Sequence, residues 1–124
     1  PANYGFLPQT LSYDGDPTDV LIYNTAAIVP LTLVEIKVVG ALVTIDDGEN
    51  DYKIIGVPTF NPHNYKDITD LDPNFLSVCE HFFSVYKRVK DKKNPIEVGD
   101  WIGSKDAAEY IQSCRNEYTS HIYN

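Results

Sequence analysis

The stretch that decides the fold is residues 33–59, LVEIKVVGALVTIDDGENDYKIIGVPT. Leu33 to Ile45 is long, β-branched and Val-rich, and it reads as a strand. Gly40 interrupts it, and an interior glycine in such a strand marks a bulge or a corner. Asp46 to Asp51 is polar and holds Gly48, so it reads as a hairpin loop. Tyr52 to Thr59 then returns as the partner strand, until Pro58 and Pro62 end regular structure.

Working outward, Val20 to Tyr23 is a short strand after a turn, and Ile96 to Trp101 is another. Pro1 to Phe6 holds Tyr4 just before Gly5 in an otherwise apolar strand. Beyond the hairpin the period changes. Asp72-Pro73 supplies an N-cap and a proline at the first helical position. Leu76, Cys79, Phe82, Phe83, Tyr86 and Val89 follow at helical spacing, and the Lys-rich end suits a helix C-terminus. Ser104 opens a second helix with Ala107, Ala108, Ile111, Cys114 and Tyr118 on its apolar face. The expectation is a single α+β domain over 1–124: a small OB-like five-stranded β-barrel with two C-terminal α-helices.

Composition narrows the function. The 124 residues carry 18 Asp and Glu against 10 Lys and Arg, a net charge of −8. A nucleic-acid partner wants a basic footprint, so it is disfavoured. No apolar run approaches the ~20 residues of a membrane span. Cys79 and Cys114 are too few for a disulfide scaffold and fall on buried helix faces, so they read as reduced thiols of a cytoplasmic protein. The chain opens at Pro1 and contains no methionine, so a segment upstream is expected.

Three constellations can carry chemistry. Asp14-Gly15-Asp16-Pro17-Thr18-Asp19 packs three carboxylates into six residues, with a glycine and a proline forcing a turn. Uncompensated, they repel one another; hard divalent cations such as Mg²⁺ favour clustered oxygen ligands. An EF-hand fails here, because Asp19 stands where that loop needs glycine. Around the hairpin, Asp46, Asp47, Glu49 and Asp51 precede Lys53. In a strand, residues two apart share a face, so Asp51 and Lys53 point the same way, a carboxylate for a metal beside an ammonium for a phosphate. On the first helix, Tyr86 and Lys87 can both donate to a phosphate oxygen. Each alone is also explained as a solvated acidic turn, a charged hairpin tip or an ordinary helix end.

Together the segments resemble the soluble family I inorganic pyrophosphatases in order and spacing. PANYGFLPQT at 1–10 resembles that family's P-x-N-Y-G strand. DGDPTDV at 14–20 matches its signature except at Thr18, where an apolar residue is usual. DDGENDYKIIGV at 46–57 resembles its D-x-x-x-x-D-x-K hairpin, and HFFSVYK at 81–87 its H-F-F-x-x-Y-K helix. The short DGDP form resembles the bacterial branch.

The resemblance implies Mg²⁺-dependent hydrolysis of pyrophosphate to two phosphates, with several cations per site and Mn²⁺ or Zn²⁺ as substitutes. It implies Asp14, Asp19, Asp46 and Asp51 as metal ligands and Asp16 as the carboxylate that orients and deprotonates water. Lys53, Tyr86 and Lys87 become catalytic phosphate contacts, and Tyr4 a further substrate contact near the leaving phosphate. A homo-oligomer is implied, a hexamer before a dimer. The family's essential glutamate, lysine and arginine would lie upstream of the Tyr4 strand. Two departures stand out. Pro30-Leu31 lacks the usual glycine, and Asn94-Pro95 stands where a Lys-Trp pair is usual, leaving Lys92 or Lys93 as substitutes. Two other classes remain: an inactive, metal-binding structural relative, and an OB-fold nucleic-acid binder, which would need exposed aromatics beside a basic groove.

Overall fold

The computed structural model describes residues 3–23, 26–90 and 96–123, with the side chains of 86–90 and 123 set aside. The long segment forms strand β3 (Ile36–Asp46), after β1 (Asn3–Leu7) and β2 (Thr18–Ile22); β4 (Glu49–Asn50), β5 (Lys53–Pro58) and β6 (Glu97–Gly103) follow it. The order is β1-β2-β5-β3-β4, with β6 on β3, and β2 runs parallel to β5 while the other pairs are antiparallel. All five expected strands are present. A sixth, the two-residue β4, arises because the hairpin turns earlier than its polar stretch suggests. Asp46 pairs with Glu49, so Asp47 and Gly48 alone make the turn, with φ of 55° and 77°. That is the Asp-Gly chemistry of a tight hairpin. Asp51 then sits where the returning strand breaks between β4 and β5.

Gly40 is the predicted irregularity. The β3–β5 register shifts between Val38 and Gly40, and a Cβ on Gly40 would lie 2.5 Å from the Ile102 carbonyl oxygen. The shift has a packing consequence. Val39 and Leu42, three residues apart, both join the core on one sheet face, with Leu21, Ile55, Val57, Cys79 and Phe83. Ala41, with Val20 and Ile54, faces the other side, against Ala107, Tyr110 and Cys114. The sheet is thus packed on both faces. Helix α1 (Pro73–Lys90) covers the first and helix α2 (Ser104–Tyr123) the second. The α+β class with two helices after the strands is as expected.

Both helices start at carboxylates. The Asn74 amide donates to Asp72 Oδ1 at 2.9 Å. Asp67 reaches α2 from a distance, accepting from the Ser104 amide at 3.2 Å while it also caps the short 3₁₀ turn Ile68–Asp70. Two apolar positions read from periodicity are corrected. Phe82 is 45% exposed, because Cys79 and Phe83 define the buried stripe of α1 and Phe82 lies beside it. Ala108 is exposed, because α2 turns Ala107, Tyr110 and Cys114 to the sheet instead. Cys79 and Cys114 are free and buried. Among the described residues, no helix is long and apolar enough to cross a membrane.

Candidate active site: an acidic centre around a buried lysine

Period-two alternation puts Asp51 and Lys53 on one face, and the structure closes that pair. Lys53 Nζ donates to Asp51 Oδ2 at 2.7 Å, and to Asp19 Oδ2 at the same distance. The second contact follows from sheet register: Val20 is opposite Ile54, so the residues just before them, Asp19 and Lys53, are neighbours across the parallel pair. Lys53 and Asp51 are only 3% and 5% exposed. Phe83 of α1 supplies the floor, its ring centroid 5.5 Å from the ammonium.

Burying these charges is costly unless they are paired, and the pairing is lopsided. Burial pushes the Asp51 carboxyl up. Lys53 opposes this, the Asp19 and Asp14 carboxylates add to the rise, and the net direction is upward. At Lys53 burial pulls the pKa down, but Asp51 and Asp19 outweigh it and raise it. Burial is the larger cause at Asp51, and the flanking carboxylates decide the direction at Lys53.

Asp14, Asp46 and Asp51 complete the centre. Each can offer a carboxylate oxygen, and the three atoms lie within 4.8 Å of one another. This hard-oxygen set suits a divalent cation of the Mg²⁺ type. Asp14 arrives on the turn after β1. Gly15 adopts φ 83°, the Asp16 amide donates to Asp14 Oδ1 at 3.0 Å, and the Ser12 amide donates to the Asp16 carbonyl at 2.8 Å. Asp46 ends β3 just before the hairpin turn.

The four expected metal ligands therefore divide. Asp14, Asp46 and Asp51 converge, and Asp19, outside that trio, shares the Lys53 ammonium with Asp51. Asp16 is exposed on the turn next to the cluster. Tyr4 is 55% exposed on β1. It lines an apolar groove with Phe6, Val29 and Leu33. Tyr86 and Lys87 follow Phe83 on α1, but their side chains lie outside the described residues, as do Lys92, Lys93 and Asn94 altogether.

Sequence reasoning missed the layer behind the centre. Thr18 is fully buried, its amide donating to Thr10 Oγ1 at 3.0 Å and its hydroxyl 3.4 Å from Ser12 Oγ. Ser12 Oγ is also 3.4 Å from Tyr110 Oη, which accepts from the Tyr52 amide at 3.3 Å. The signal was present: a hydroxyl at 18 where the resemblance calls for an apolar side chain implies a polar partner inside.

A six-stranded sheet packed between two helices, with three carboxylates that could hold a metal ion beside a buried lysine, defines an α+β protein with a candidate metal centre. The chain belongs to the inorganic pyrophosphatase family, whose model matches residues 1–119. It is 39% identical over 120 residues to the inorganic pyrophosphatase of Geobacillus stearothermophilus, covering 95% of this chain and 72% of that protein. To the soluble inorganic pyrophosphatase 1 of Arabidopsis thaliana it is 38% identical over 124 residues, 98% of this chain and 58% of that one. Among solved structures, the inorganic pyrophosphatase of Thermus thermophilus superposes with a TM-score of 0.84 at 36% identity, covering 94% of this chain and 68% of that one. The enzyme from Neisseria gonorrhoeae gives 0.87 at 34%, covering 96% and 70%.

Proposed function

We infer that this chain is the catalytic domain of an inorganic diphosphatase, which hydrolyses pyrophosphate to two phosphates by direct attack of water. The observation that carries this reading is the surplus of carboxylates converging beside a buried ammonium, in a chain of this family. Asp14, Asp46 and Asp51 hold Mg²⁺, with Asp19 adjoining, and Mn²⁺ or Zn²⁺ substitute at the same oxygens. Bound there, divalent cations offset the charge of the carboxylates and the substrate and lower the pKa of a water from ~16 towards ~7.

The chain's own residues do the rest. Asp16, exposed on its turn, accepts the proton of the attacking water. Lys53 has three N–H donors, of which Asp51 and Asp19 take two, so one is left for a phosphate oxygen as charge shifts onto it. Tyr86 and Lys87 on α1 donate to the same phosphates, and Tyr4 contacts the leaving one. No covalent intermediate forms on the protein. Free cysteines support a cytoplasmic setting. The exposed apolar side chains of Phe6, Leu31 and Leu33 support a homo-oligomer, a hexamer before a dimer.

The test is phosphate release from pyrophosphate with Mg²⁺, comparing the intact protein with Asp16→Ala. Loss of a general base lowers kcat by about 10²–10⁴-fold, with Mg²⁺ binding retained. A folded, Mg²⁺-loaded parent that releases no phosphate above the buffer rate would overturn the reading.

A further inference from the structure

The two segments that carry the acidic centre are joined from behind by helix α2. Tyr110 is 9% exposed, and its ring stacks on Tyr52 with centroids 4.4 Å apart and planes 27° from parallel. Its hydroxyl reaches the Cys114 side chain on its own helix and also makes one contact to each of two site-bearing segments. One is the Tyr52 backbone amide, between Asp51 and Lys53. The other is Ser12 Oγ. Ser12 in turn closes the acidic turn at both ends, since its amide donates to the Asp16 carbonyl and its carbonyl accepts from the Gly15 amide at 3.0 Å. The Leu11 amide donates to the Cys114 carbonyl on the same helix at 3.0 Å. The hydroxyl accepts from the Tyr52 amide, and either oxygen of the Ser12–Tyr110 pair can be the donor. Sheet pairing of β2 with β5 begins only at Val20 and Ile54. Asp14 and Asp16 lie ahead of that register, on the loop that Ser12 braces.

We propose that Tyr110 is a positioning residue of the acidic centre, whose hydroxyl sets the Asp14–Asp16 turn relative to Asp51 and thereby tunes the affinity for a divalent cation. This rests on reading Asp14, Asp46 and Asp51 as a cation site. Contacts that orient ligands from behind are worth about 10–100-fold in metal affinity. The neutral, 3.3–3.4 Å contacts here belong at the lower end of that range.

The experiment is calorimetric titration of the metal-free, intact protein with Mg²⁺ alone. Tyr110→Phe keeps the stacked ring and removes one oxygen; about tenfold weaker binding is expected. Ser12→Ala, which cuts the other end of the brace, should give a similar loss. The double variant should be no weaker than the weaker single one, because both cut one path. Leu71→Val, in the core on the opposite sheet face, serves as the control: it lowers the unfolding midpoint without changing Mg²⁺ affinity. Parent-like affinity in Tyr110→Phe, or losses that simply add in the double variant, would overturn the proposal while leaving the cation site standing. A parent that binds no Mg²⁺, or an Asp51→Asn variant that binds it as well as the parent does, would overturn the cation site and the proposal with it.

Discussion

The Asp14–Asp16 turn carries two carboxylates and the Asp51–Lys53 segment a carboxylate and an ammonium, in opposite surroundings. The turn is exposed, shaped by a left-handed glycine and by backbone hydrogen bonds to Ser12. The second segment is buried, its geometry set by the start of β5 at Lys53, by the register against β2 and by the Phe83 floor. In the buried half, position and charge are part of folding: neither Asp51 nor Lys53 can change without disturbing the core. In the exposed half a carboxylate can meet water and exchange protons with it while the fold bears almost none of the cost. A hydrolytic centre needs both, a fixed frame for cation and phosphate and a wet base beside it.

The largest effect that would break this comparison lies at Lys53. Lys53→Met removes the ammonium but leaves Asp51 buried with no compensating charge, at a cost of about 3–5 kcal/mol of folding stability. The loss should be greatest in metal-free protein and partly recovered by Mg²⁺, because the cation neutralises the same carboxylates. Thermal unfolding of both proteins with and without Mg²⁺ checks this. An equal deficit in both conditions would mean that the cation does not meet the charge Lys53 leaves behind.

A smaller effect probes the dry floor under that pair. Burial pushes the Cys79 thiol from 9.0 up to about 11. A pKa raised on folding stabilises fully below the unfolded value and fades as pH rises through the folded one. The unfolding midpoint should therefore fall between pH 9 and 11, and fall less in Cys79→Ala than in the parent. Identical slopes would mean that Cys79 is wetter than its 4% exposure indicates.

Most of the frame was legible in the sequence because it rests on local rules. Strand alternation placed Asp51 beside Lys53, an interior glycine announced the bulge at 40, and Asp72-Pro73 opened α1. What escaped was set by contacts far apart in sequence. The 98 positions that separate Tyr110 from Ser12 leave no spacing to recognise, and Asp67 caps α2 from 37 positions away. Phe82 and Ala108 were misplaced because periodicity gives a helix face to within about one residue, while packing against a bulged sheet chooses between neighbours. The division of the four carboxylates was equally hidden. Spacing shows that Asp19 is near, but only the parallel β2–β5 register shows that it faces Lys53.

The smallest expected effect is the sharpest contrast with Lys53. In Asp16→Ala the turn keeps every contact Asp16 is seen to make, since both the bond to Asp14 and the bond from Ser12 use its backbone. Only an exposed carboxylate goes, from a cluster whose members repel one another without a cation. Stability in metal-free protein should therefore stay within about 0.5 kcal/mol of the parent, with any change in the stabilising direction. This is the same variant that should lose most of its turnover, so chemical denaturation and phosphate release measured side by side separate framework from chemistry. A destabilisation of several kcal/mol would place the Asp16 carboxylate in the frame with Asp51, and the distinction between the two halves would fail.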